Sequence, residues 1–131
     1  MANRRRLILP IAGLLAAVFS TSLYGQGLFW SFLGDAQIDG IHDHNKIQVS
    51  GRYGPFRAVQ LRVSGDAIFF DRVVVCYSNG TSEELAIGHR FSPGAHVIDL
   101  LGEPRALESV ELWYFKEPWE HRPRVTLYGT R

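Results

Sequence analysis

The sequence predicts an all-β fold, a single antiparallel β-sandwich of about eight strands in a jelly-roll-like layout, preceded by an N-terminal signal helix. Three observations carry that prediction. Apolar and polar residues alternate, as in residues 56–64 (FRAVQLRVS), where Val59, Leu61 and Val63 point one way and Gln60, Arg62 and Ser64 the other. Turn signals recur at short intervals: SGD at 64–66, SNG at 78–80, SPG at 92–94 and GEP at 102–104. No helical period follows the leader, which favours a sandwich or barrel over an α/β fold.

The chain opens MANRRR, continues with the apolar run LILPIAGLLAAVF at 7–19, and turns to small and polar residues in STSLYGQG. That is the three-part layout of a secretory signal peptide. The run falls short of the roughly 20 residues a membrane-spanning helix needs, and Pro10 interrupts it. The expected organisation is therefore a cleaved signal at 1–27 and a β-sandwich domain at 28–131, exported to the periplasm or secreted, with no permanent membrane span. Ser22, Gly25 and Gly27 each offer a small residue before the cut. Arg4 and Arg5 ahead of Leu7 and Ile8 loosely match a twin-arginine signal, but general secretion uses the same basic start.

The expected strands are 29–33, 46–49, the alternating stretch within 56–64, 67–77, 83–90, 96–100, 107–115 and 124–128. Within AIFFDRVVVCY, Asp71 and Arg72 interrupt an apolar run, where a bulge would shift the side chains from one face to the other. Taking the three leader arginines from the 14 basic residues leaves 11 against 13 acidic ones, so the basic footprint of a nucleic-acid partner is missing. About 105 residues remain, enough for one domain. Cys76 is the sole cysteine, so no intramolecular disulfide forms; within VVVCY it reads as a small buried hydrophobe.

The segments LGDAQIDG, RAVQLRVSGDAIFF, VVVCYSNGTSEEL, VIDL with Gly102 and Arg105, SVELWY and RVTLYG, taken in order, carry a resemblance. The chain is similar to a family of small exported bacterial β-domains catalogued only as a domain of unknown function. The resemblance implies an all-β exported domain and carries over no catalytic or binding residues.

Two stretches could carry chemistry. IDGIHDHNKI at 38–47 offers His42 and His44 with Asp39 and Asp43 as a metal set, and a metal ion is the one cofactor the residues suggest. The spacing matches no zinc or calcium framework, and Asp39-Gly40 with Asp43 and Asn45 also reads as a turn between the first two strands. The second stretch is SVELWYFKEPWEHRPRVTLYG, read as an aromatic hairpin. Val110, Leu112, Tyr114, Val125 and Leu127 form its inward set; Glu111, Trp113, Arg124, Thr126 and Tyr128 share the outward face, and Trp119 stands in the loop. Aromatic and arginine side chains of this kind stack on sugar rings or anchor protein partners. Asn79-Gly80 marks a hairpin before it marks a glycosylation site, and Glu83 and Glu84 read as solvated edge charges.

No nucleophile elbow, P-loop or dinucleotide fingerprint occurs, so no catalytic residue is assigned. The expected function is a non-catalytic envelope or secreted module that binds a cell-envelope glycan or protein through Trp113, Trp119, Tyr128, Arg124 and Glu111. The alternatives are a small metal-binding protein or hydrolase built on His42 and His44, and a purely structural envelope protein.

Overall fold

Consecutive strands rarely lie beside one another. The structure, a computed structural model, describes residues 29–49 and 54–131, and the expected signal at 1–27 lies outside the described residues. Nine strands follow in order: β1 (Ser31–Gln37), β2 (His44–Gln48), β3 (Ala58–Ser64), β4 (Ile68–Tyr77), β5 (Ser82–Glu84), β6 (Arg90–Phe91), β7 (Gly94–Asp99), β8 (Leu107–Tyr114) and β9 (Arg124–Thr130). One sheet has the order β1-β9-β3-β7 and the other β2-β8-β4-β5, with β6 also on β4. All pairings within them are antiparallel. With β5 and β6 sharing one position, this is the strand order of a jelly roll, so the predicted fold class holds.

Alternation decides which side chains close the sandwich. From the first sheet, Val59, Leu61 and Val63 of β3 and Val125 and Leu127 of β9 are buried. From the second, Phe70, Val73, Val75 and Tyr77 of β4 and Val110, Leu112 and Tyr114 of β8 meet them in one apolar cluster. Strand β4 keeps its apolar face inward on both sides of Asp71 because the register with β8 jumps between Phe70 and Arg72. Phe70 and Val73 therefore both point into the core, three residues apart, where a regular strand would send one of them to solvent. The strand expected at 83–90 is in fact two short pieces. β5 pairs with Val74–Cys76 and β6 with Ile68–Phe69, so the break between them lies opposite the bulge.

The connections follow the turn chemistry of the sequence. β4 and β5 form the Asn-Gly hairpin, with Gly80 at φ +89° and the Asn79 side-chain oxygen accepting the Thr81 N–H at 3.1 Å. Between β3 and β4, Gly65 has φ +83°, and a Cβ there would sit 2.7 Å from the Arg122 carbonyl oxygen. Only glycine fits that turn without moving the 120–122 segment.

Gly65→Ala is expected to cost about 1–3 kcal/mol through strain and clash, and Leu61→Ala about 2–5 kcal/mol through an unfilled core position. Urea unfolding of the two variants measures both costs. Equal stability of Gly65→Ala and the parent chain would show that the turn relaxes freely.

Candidate functional site

The expected C-terminal hairpin does not form, and the correction moves the site. β8 belongs to the second sheet and β9 to the first, so residues 115–123 cross the end of the sandwich. The inward set was read correctly, but its two halves face each other through the core. The outward residues consequently lie on opposite sides of the domain: Glu111 and Trp113 on one, Arg124, Thr126 and Tyr128 on the other. Trp119, in the crossing segment, is half-buried, packs against the core and donates from Nε1 to the Ala67 carbonyl at 3.1 Å. It closes one end of the sandwich.

On the outer face of β2-β8-β4 the register places Arg72, Trp113 and His44 in one row across three strands. The Arg72 guanidinium lies 4.0 Å from the Trp113 ring centroid, and the His44 ring stacks on the indole at 4.4 Å and 17°. Arginine over an indole face is an attractive cation–π arrangement, and here the two faces of the indole are both engaged. The His44 Nε2 is 3.1 Å from Oε1 of Glu111 in the next row. The Cys76 thiol donates weakly to Oε2 of the same carboxylate at 3.9 Å, half-exposed where a buried thiol was expected.

Beyond Trp113, the Phe115 N–H donates to the Phe69 carbonyl at 3.0 Å, which sets these two residues side by side. Phe115 is 54% exposed and Phe69 37%. Arg90, paired with Phe69, sits 6.0 Å from its ring. The result is an aromatic strip edged by Arg90, Arg72, His44 and Glu111. Of these, Arg72, Phe69, Phe115 and Arg90 were not among the site residues expected from the sequence, where Arg72 was read only as part of a bulge. The signal was present in AIFFDR, where the second apolar residue of a pair must face outward, but the bulge hid the phase.

Tyr128 heads a smaller cluster on the opposite face. Phe32 meets it edge-on at 6.0 Å, and the Arg62 guanidinium lies 4.7 Å from its ring centroid. Arg62 also donates to the Gln60 oxygen at 2.9 Å, and Arg124 is paired with Asp35 at 2.7 Å.

The 38–47 stretch forms the crossing from β1 to β2. Asp39 Oδ1 accepts the N–H groups of Ile41 (2.8 Å) and His42 (3.1 Å), while Oδ2 meets the His42 ring at 2.8 Å. The strand begins only at His44, so the two histidines do not share a face: His42 turns to Asp39 and His44 to Trp113 and Glu111. Asp43 contributes its backbone carbonyl to the Tyr114 N–H, and the Asn45 amide donates to the Tyr114 hydroxyl at 3.1 Å. Among the described residues no three histidine, cysteine or acidic side chains gather as a metal-holding group.

Glu83, expected to be solvated, is 11% exposed at its side chain. It accepts from the Tyr77 hydroxyl at 2.6 Å and from the Leu101 N–H at 3.1 Å. Burial, followed by this carboxylate, pushes the Tyr77 phenol well above its ordinary pKa. Arg105 lies 3.7 Å over the Tyr77 ring and donates to the Leu101 carbonyl, so the group fastens the 101–105 turn to the β4–β5 hairpin.

The architecture is that of a small two-sheet β-domain, a jelly roll without a described metal cluster. Residues 11–129 match the model of a family described as a domain of unknown function (DUF2541), and the chain belongs to that family. Among solved structures it is similar to AlgX of Pseudomonas aeruginosa, with 12% identity and a TM-score of 0.52 over 99% of this chain and 36% of that one. At that identity the likeness concerns the fold, and this chain spans about a third of the other's length. No curated protein matches the sequence significantly.

Two outcomes follow from this geometry. The backbone N–H of His42, then that of Ile41, holds the Asp39 carboxyl well below its ordinary 3.8, and the N–H of His121 chiefly lowers Asp66. A lowered folded-state pKa contributes stability that is complete above the ordinary value and is lost as pH falls beneath it. The thermal midpoint should therefore drop below about pH 4, and Asp39→Asn should make that drop shallower. In addition, Arg72→Ala should shift the Trp113 indole N–H resonance and raise its access to quencher. An unchanged resonance would mean that the guanidinium does not rest on the ring in solution.

Proposed function

We propose that the domain is an exported, non-catalytic binding module whose ligand is a cell-envelope glycan, taken up on the outer face of β2-β8-β4. The observation that carries this reading is the exposed Phe69–Phe115 pair beside the Arg72–Trp113–His44 row. Exposed aromatic rings offer a surface for the apolar face of a sugar, and the flanking Arg72, His44 and Glu111 supply donors and an acceptor for its hydroxyl groups. Trp113 acts here as a spacer that holds the arginine and histidine heads upright, because its own faces are taken; stacking falls to the two phenylalanines. Export rests on the basic and apolar leader of the sequence. Among the described residues no helix is long and apolar enough to cross a membrane.

Titrating the isotope-labelled protein with cell-wall glycan fragments should move the resonances of Phe69, Phe115 and the Trp113 indole. Phe115→Ala should weaken binding about tenfold or more, in line with the loss of one stacked ring. Shifts confined to Tyr128 and Phe32 would transfer the ligand to the other face, and no shifts at all would remove the glycan reading.

A further inference from the structure

The sandwich has four edges, and three of them are blunted. β1 carries a bulge between Phe32 and Gly34 and an ion-paired Asp35; β2 has Lys46 at its middle; β5 and β6 have three and two residues. These are the devices by which β-proteins prevent edge-to-edge pairing. β7 has none of them. It is six residues long, pairs with β3 in an unbroken register from Gly94 to Asp99, and contains neither lysine nor proline. Its single charge, Asp99, is its last residue. Val97, at the middle of its outer face, is 58% exposed, and Leu101 just beyond the strand is 71% exposed.

We propose that β7 is a docking edge for a second copy of this chain, joined antiparallel about a twofold axis at Val97. The strand is self-complementary in that register. Val97 meets its own counterpart, Ala95 of each copy lies opposite Asp99 of the other, and His96 lies opposite Ile98. The two acidic residues are thereby kept at opposite ends of the ladder, so no like charges face each other. Val97, unfavourably exposed in one copy, is covered in two. The inner side needs no rearrangement, since His96 is already stacked on Phe91 at 4.4 Å and bonded to the Ser92 carbonyl at 2.7 Å. The product is a continuous sheet of twice four strands. A six-residue ladder falls short of the roughly 1,000 Å² that a stable specific interface clears, so the association is transient and concentration-dependent. It leaves the outer face of β2-β8-β4 open and does not depend on the glycan reading.

Sedimentation of the purified protein from about 5 μM to about 1 mM tests it, because a contact of this size dissociates in the upper part of that range. The expected result is a rise in average mass toward the dimer, with slowed amide exchange in β7 at high concentration. Val97→Lys, at an exposed position, should weaken association at least tenfold while thermal unfolding is unchanged; Phe32→Lys, on the opposite edge, should leave association as it was. A monomer throughout the range overturns the proposal. So does a dimer equally insensitive to both substitutions, or one whose β7 amides exchange as fast as in dilute solution.

Discussion

Everything in this domain depends on two apolar sheet faces being closed on each other by a chain that changes sheet at nearly every connection. Among the described strands only β4 and β5 are joined as neighbours in one ladder; most other links pass over an end of the sandwich. The cost of ordering those long crossings is offset by burial of the aliphatic stacks of β3, β9, β4 and β8. Because each crossing must be pinned, polar side chains that look chemically active in the sequence are used as fasteners. Asp39 ties down the first crossing, Asp66 binds the N–H groups of Glu120 and His121 in the last, and Glu83 with Arg105 secures the turn before β8.

This division of labour explains what could be read from the sequence. Facing is a local property: period-two alternation assigned Val59, Leu61, Val63, Val110, Leu112, Val125 and Leu127 to the interior, and all are buried. The break at Asp71 was legible for the same reason, as was the turn at Asp39-Gly40. Sheet membership is not local. Nothing in SVELWYFKEPWEHRPRVTLYG distinguishes a hairpin from a crossing, since both need two alternating strands and a polar connection, and pairing is settled by strands far away in the chain. Trp113 pairs laterally with His44 and Arg72, which are 69 and 41 positions distant, and Tyr128 with Phe32 and Gln60. The error therefore fell on the candidate site, where residues from different strands must be brought together.

The structure replaces one supposed surface with two unequal ones. The face built on Trp113 has more exposed aromatic area and more varied polar heads, while that around Tyr128 has an arginine already engaged with Gln60. In the first of these His44 and Glu111 bind one another, and the His44 ring, a metal candidate in the sequence, lies stacked on the Trp113 indole.

The pairing of β1 with β9 has a mechanical meaning. Ser31, where the β-unit begins, lies opposite Gly129, and the ladder then runs inward to Gln37 opposite Arg124. Tension applied between those two ends would load the hydrogen bonds one pair at a time, as a zip is opened, and never all together in shear. A tether at either end alone leaves the ladder unloaded.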